Sequence, residues 1–260
     1  MKLYSLFFLL ISLFLLINCK NQTRSTQKNN LVFKDSGTEN WQDKWTLDGL
    51  KAEVLNSDLG MEFKAGKQHG NDSAHAVLWT KKVFTGNFKI TYEYTRTDTV
   101  TRCVNILYLL ASGKGSEEYP KDISLWKEKR KVPKMSKYFN NINTYHISYA
   151  AFDSKIYSGD HDYIRMRKYN PNKKGLGNTD IKPDYFNTGL FKPFVNYKIE
   201  VIKTDGFIKM DIENAKNPKE RLICKWDISK VNDLKSGRIG LRHMYTRSAI
   251  YKNFEIYQLD

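Results

Sequence analysis

Between Thr144 and Tyr169 the sequence gathers five side chains suited to proton or anion chemistry, His146, His161, Tyr163, Arg165 and Arg167, followed at once by Lys168. Cationic and imidazole groups are seldom gathered on a pleated segment for packing alone, because they are rarely fully buried. Alternation along "HDYIRMRKY" puts His161, Tyr163, Arg165 and Arg167 on one face and Asp162, Ile164 and Met166 on the other. In "NTYHISYA" the same alternation opposes Thr144, His146 and Ser148 to Tyr145, Ile147 and Tyr149. With the apolar members turned inward, the two polar rows face solvent or a groove.

Arg, His and Tyr together supply what β-elimination on a uronic acid requires. A guanidinium neutralises the carboxylate and stabilises the enolate. An imidazole takes the proton α to that carboxylate, and a phenol or second imidazole protonates the departing oxygen. The expected roles are therefore Arg165 or Arg167 for charge, His146 or His161 as base, and Tyr163 or the other His as acid. The plainer alternative is a solvated outer strand face. Trp79, Trp126, Arg242 and Lys168 are expected to contact the substrate, although Trp79 also fits a core position. His243 shares parity with Ile239 and Leu241 and reads as a core histidine. A glycoside hydrolase needs two opposed carboxylates; Asp153, Asp160, Asp162 and Glu93 are the candidates, without an E-x-D-x-E strand. A non-catalytic glycan-binding protein needs only the basic and aromatic residues. No Cys and His spacing matches a metal site, and the proposed chemistry calls for no cofactor.

The start of the chain bears on which partners it meets. Met1-Lys2 followed by "LYSLFFLLISLFLLIN" reads as a secretion signal over residues 1–18. The "LINC" at 16–19 resembles a bacterial lipoprotein signal, with Asn18 departing from the usual small residue, and implies a lipid on Cys19. Residues 19–30 then form a polar tether, and 31–260 a single domain. The expected location is a membrane-anchored lipoprotein, of the outer membrane and facing the periplasm, with the cell surface as the alternative. The formal charge of +15 falls by one with Lys2, and such an excess attracts polyanions. In that compartment the partner is an acidic or sulfated polysaccharide rather than nucleic acid. Cys103 and Cys224 are either a disulfide or two separate buried thiols.

The elements that must position these residues are short β-prone runs separated by Gly, Asn, Asp and Lys clusters, which indicates an all-β sandwich. In "NFKITYEY", Phe88, Ile90, Tyr92 and Tyr94 share one face. Asp205-Gly206 reads as the turn of a hairpin between "YKIEVIK" and "FIKMDI". The long basic stretch 113–140 lacks strand character, with one helical segment in "EEYPKDISLWKEKRKV", and is expected to be a surface excursion or the rim of a glycan cleft.

The ordered segments "AVLWTKKVFTGNFKITYEYT", "TYHISYAAF", "IRMRKYN", "YKIEVIKTDGFIKMDIEN" and "GRIGLRHMYTRSAIYKNFEIY" resemble the YesU-like family of concanavalin A-like jelly rolls over most of residues 41–258. The C-terminal piece is also similar to laminin-G-like and keto-glycoside hydrolase families. This resemblance implies two antiparallel sheets, one concave, with a saccharide across the concave face. It implies a setting in polysaccharide degradation, and it supplies no catalytic residues. A polysaccharide lyase is the expected activity; the binding protein and the hydrolase stand as alternatives.

Overall fold

A computed structural model of the chain describes residues 30–152, 161–231 and 234–260. The signal, Cys19 and most of the tether, together with Asp153 and Asp160, lie outside the described residues. Among the described residues sixteen strands form two eight-stranded antiparallel sheets. The first sheet holds β1 (Asn30–Asp35), β3 (Glu53–Ser57), β4 (Gly60–Lys64), β7 (Phe88–Arg96), β12 (Asn196–Lys203), β13 (Phe207–Asn214), β14 (Asn217–Asp227) and β16 (Ser248–Gln258). The second holds β2 (Trp45–Asp48), β5 (Ala76–Thr80), β6 (Phe84–Thr85), β8 (Cys103–Gly113), β9 (Ile142–Phe152), β10 (Asp162–Tyr169), β11 (Asp180–Phe186) and β15 (Ser236–His243). The order across the first sheet is β14-β13-β12-β7-β16-β4-β3 with β1 on β16. Across the second it is β11-β10-β9-β8-β15-β5-β2 with β6 on β15. This is the expected all-β jelly-roll sandwich.

Apolar alternation decides which faces meet. On β7 every second residue is buried, from Phe88 through Tyr94, as a strand with one wet face requires. These side chains meet Leu107, Leu109, Tyr145, Ile147, Ile164, Met166 and Leu241 of the second sheet in one core. The hairpin turn at Asp205-Gly206 joins β12 to β13 as expected.

On β8 and β9 almost every residue is buried, whichever way it points. The inner face of these strands packs on the first sheet. The outer face carries a second apolar cluster of Val77, Trp79, Ile106, Tyr108 and Tyr169, joined by Ile123, Trp126 and Tyr138 from the connection between β8 and β9. That connection is therefore a cover packed onto the sheet, which corrects its reading as a rim or solvated excursion. Its helical content is also displaced. Ile123–Arg130 is 3-10 in character, with Trp126 outside helical angles, and the α-helix α1 spans Met135–Asn141.

The two cysteines sit apart. Cys103 is a buried free thiol on β8 of the second sheet, and Cys224 is another on β14 of the first. Burial pushes the Cys224 thiol up to about 12, with Asp211 adding to the effect. His243 is wholly buried, stacked on Phe63 at 4.4 Å, with Nε2 2.8 Å from the Tyr251 hydroxyl, in keeping with a core role.

Candidate functional site

Antiparallel register lines up the outer face of the second sheet into rows. Arg167 pairs with His146, His146 with Tyr108, Tyr108 with Gly240, and Gly240 with Trp79. One step along, Arg165 pairs with Ser148, Ser148 with Ile106, Ile106 with Arg242, Arg242 with Val77, and Val77 with Asp48. Residues distant in sequence thus become cross-strand neighbours on one surface. The structure brings together His146, Arg165, Arg167, Arg242 and Trp79 on this face, with Tyr163 further along β10.

The covered part of the face is organised around Asp48. Its Oδ2 accepts from Trp79 Nε1 at 2.8 Å, Arg130 Nε at 2.6 Å and Tyr138 Oη at 2.9 Å. Arg130 also donates through Nη1 to the Ile123 carbonyl at 2.7 Å and lies 4.4 Å over the Trp126 ring. One buried carboxylate therefore ties the cover to both β2 and β5. Arg242, fully buried, donates through Nη2 to the Pro133 carbonyl at 2.5 Å and lies 4.4 Å over Tyr138.

These contacts correct two expectations. Trp79 stacks on Tyr108 at 5.3 Å and exposes 1% of its surface, while Trp126 exposes 3% and donates its indole N–H to the Pro120 carbonyl. Neither indole offers a face to a sugar from solution. Both are packing residues, because the cover has its own apolar face to bury.

His146 lies at the edge of the covered zone, 4% exposed, with Nδ1 2.5 Å from Tyr169 Oη and Nε2 2.7 Å from Ser148 Oγ. Burial, reinforced by Arg167, Arg242 and Arg165, holds its pKa well below the ordinary imidazole value, so the ring is neutral. Burial likewise raises the Tyr169 phenol, which keeps its proton. One ring nitrogen of His146 donates and the other accepts, and both are used within the protein.

The open part of the face belongs to β10. Arg165 Nε lies 3.0 Å from Asp184 Oδ2, and Arg167 Nε lies 3.0 Å from Asp180 Oδ1, with the arginine side chains 26% and 17% exposed. Both acids come from the neighbouring β11. The Arg165 guanidinium also covers the Tyr163 ring at 4.9 Å. His161 stands exposed just before the strand, and Lys168, partly buried, alternates to the opposite side from Arg167.

The described carboxylate candidates do not oppose each other. Asp162 accepts the backbone N–H groups of Thr188 and Gly189 at 2.6 and 2.8 Å, fixing a loop. Glu93 lies on the outer face of the other sheet, bonded to Asn196 and Asn253. Among the described residues no group of three or more His, Cys, Asp or Glu is placed to hold a metal ion.

Sequence reasoning did not single out Asp48, Tyr108 or Tyr169. The signal for Tyr169 was its parity with Arg165 and Arg167. Tyr108 stands in an apolar run buried on both faces, where parity carries no signal.

The architecture is similar to that of several solved proteins. A protein of unknown function with a galectin-like fold from Bacillus subtilis is 18% identical, with a TM-score of 0.65 over 88% of this chain and 96% of that one. Arcelin-5, a lectin-like defence protein from Phaseolus vulgaris, is 8% identical, with a TM-score of 0.56 over 88% of this chain and 98% of its own. The lectin from Bauhinia forficata, in complex with GalNAc, is 7% identical, with a TM-score of 0.55 and the same coverages of 88% and 98%. None of the curated proteins compared with the sequence matches it. A family model does match, over residues 31–256, and the chain belongs to that family, the domain of unknown function DUF1961.

Proposed function

We propose that the protein binds an anionic glycan, uronate-containing or sulfated, along the open outer edge of the second sheet. The observation that carries this reading is the pair Arg165 and Arg167. They project two residues apart on one face beside Tyr163, are partly exposed, and are each oriented by an acid on β11 that engages Nε. A guanidinium held this way turns its far Nη edge outward, the geometry that receives a carboxylate or sulfate bidentately. The excess of +15 concentrates such polyanions near the surface. The Bauhinia lectin, of similar fold, is itself in complex with GalNAc.

Affinity electrophoresis against pectin-type, alginate-type, sulfated and neutral glucans tests the reading. Acidic polymers should retard the protein, salt should weaken the effect, and Arg165→Lys with Arg167→Lys should lower affinity about tenfold by losing the fork. Equal retardation by neutral glucans, or no change in the double variant, refutes it.

A second reading, β-elimination, is favoured by the exposed His161 standing next to Tyr163 and the two arginines on one edge. It assigns His161 as base and Tyr163 as acid, while His146, neutral and bonded to Tyr169 and Ser148, is the cross-strand neighbour of Arg167. Ultraviolet absorbance from an unsaturated uronate product tests it directly; removing His161 should then cost about two to four orders of magnitude in rate with affinity nearly intact. Binding without absorbance gain or new reducing ends restricts the protein to glycan capture. In the same proposal Cys19 carries a lipid that holds the domain at a membrane. Labelling with a palmitate analogue, lost in Cys19→Ala, is the expected result.

A further inference from the structure

Where β8 ends and β15 begins, a cavity of about 390 Å3 is lined by the start of the cover and by the turn that follows β10. Two of its lining residues are glycines because backbone passes too close for a side chain. A Cβ on Gly113 would stand 2.0 Å from the Pro120 carbonyl oxygen, and one on Gly237 would stand 2.1 Å from the Leu110 carbonyl carbon. The Gly113 N–H donates to the Lys121 carbonyl at 2.9 Å, which folds the first residues of the cover back on the strand end. That fold sets Lys114 and Lys121 around one pocket with Lys235, and Ser112, Ser236 and Asn172 add polar groups to the lining. The positive charge there is not spent within the protein. Asp122, the acid of the lining, accepts from Arg238 Nη2 at 3.0 Å and from the Ser124 N–H at 2.9 Å. Lys114 lies over the Tyr119 ring at 4.7 Å, a contact that leaves its charge uncancelled. Lys121 and Lys235 are exposed and make no ion pair among the described residues. The volume falls within the ~300–1,000 Å3 of small-molecule sites and exceeds what a bare oxyanion fills.

We infer that this pocket is a second binding site, for one acidic sugar, a uronate or a sugar sulfate. Lysine ammonium groups meet the anionic substituent as mobile point charges with rotatable donors. The hydroxyls of Ser112 and Ser236 and the Asn172 amide both donate and accept, which suits the hydroxyl groups of a sugar ring and has no use for a bare anion. The pocket is also within reach of the open arginines. Asn172 follows Arg167 by five residues, so the chain holds the two within about 18 Å of each other. A polymer with one charged unit on Arg165 and Arg167 therefore places another in the pocket; that the sugar arrives as part of a polysaccharide rests on the glycan reading above.

The experiment is a ligand-observed NMR titration of the full chain with glucuronate, glucose 6-sulfate or glucose, at ionic strength matched with chloride and with sodium sulfate as competitor. The wild type should bind one or both acidic sugars and not glucose, and sulfate should compete at least tenfold more weakly than the bound sugar. Lys121→Gln with Lys235→Gln, both at exposed positions, should fold as the wild type does and bind the acidic sugar about tenfold more weakly, as expected for lost charge-assisted contacts. Lys67→Gln with Lys230→Gln removes the same charge at exposed positions outside the pocket and should change nothing. Arg165→Lys with Arg167→Lys should keep the monosaccharide and lose polymer. Binding of an acidic monosaccharide that depends on Lys121 and Lys235, with no retention of any polysaccharide, would uphold the pocket and sink the glycan reading alone. Three results would each overturn the inference: a wild type that binds neither acidic sugar, an affinity unchanged in Lys121→Gln with Lys235→Gln or equally lowered in the distant pair, and inorganic sulfate competing as well as the sugars.

Discussion

Acid should unfold this protein earlier than its carboxylates alone would. Three imidazoles, His75, His146 and His243, are almost wholly inaccessible, and all three have depressed pKa values. Burial lowers His75 to about 3, with Arg242 adding to it; burial lowers His243 to about 3, with Arg247 reinforcing and Asp98 opposing. His146 moves the same way through burial and then Arg167, Arg242 and Arg165. The native state therefore holds these rings neutral at pH values where the unfolded chain protonates them. Above an unfolded value of about 6.5 they cost nothing; as pH falls below it, protons favour the unfolded state. Between about pH 7 and pH 5 each ring forfeits about 2 kcal/mol, and the three together about 6 kcal/mol. A domain of this kind is stable by only ~5–15 kcal/mol, so the loss is large. Asp98, raised by burial but held low overall by Arg247, the Ser248 N–H and Arg96, contributes stability that is lost only at lower pH, through its own titration. Urea midpoints followed by circular dichroism at the two pH values measure the difference. His146→Gln, which keeps a group able to bond Tyr169 and Ser148, should remove about a third of it. A change under about 1 kcal/mol between these pH values would refute the reasoning.

Three other consequences follow from single contacts. Asp48→Ala strips the shared acceptor from Trp79, Arg130 and Tyr138, leaving a buried guanidinium unpaired; a loss of about 3–5 kcal/mol is expected, with new proteolytic cleavage within 114–141. Gly240→Ala would set a Cβ 2.4 Å from Trp79 Cζ3, and overpacking of that kind should cost about 1–3 kcal/mol in equilibrium unfolding. Cys103 and Cys224 should both remain unreactive toward alkylating agents in the native protein, react together after denaturation, and show no mass change on reduction.

Legibility in the sequence followed the number of wet faces an element has. β7 and β10 each turn one face to the core and one away from it, so period-two alternation assigned Ile90, Tyr92, Ile164 and Met166 correctly. β8, buried on both sides, reads as the continuous run "CVNILYLLA", and nothing in such a run tells Tyr108 from Leu107. β11 escaped notice for a different reason: "DIKPDYF" contains Pro183, which argues against a central strand, yet an edge strand bonded only to β10 tolerates it. Missing β11 also hid Asp180 and Asp184, the acids that orient the two arginines.

The cover was misread because its composition is that of a surface loop while a few of its side chains are those of a core. Lysines at 114, 121, 127, 129, 131, 134 and 137 dominate the stretch, while Ile123, Trp126, Arg130 and Tyr138 turn inward, with Tyr119, Met135 and Phe139 partly buried against the same cluster. At irregular spacing in 3-10 and short α segments these four give no period to detect. Their burial has a consequence for the site. Among the described residues the cover packs on the outer face of β5 and β8 and over Arg242 of β15, and it leaves Arg165 and Arg167 on β10 partly exposed. On the open side the partly exposed charges are those of Arg165 and Arg167, the pair on which the proposed glycan binding rests. Arg242 lies beneath α1 with its guanidinium over the Tyr138 ring, and the Asp48 tie to Arg130 and Tyr138 holds that part of the cover down. Removing one bond of that tie, as in Tyr138→Phe, should cost about 1 kcal/mol and raise proteolytic cleavage within 114–141; an unaltered cleavage rate would mean that the Asp48 contact does not hold the cover in place.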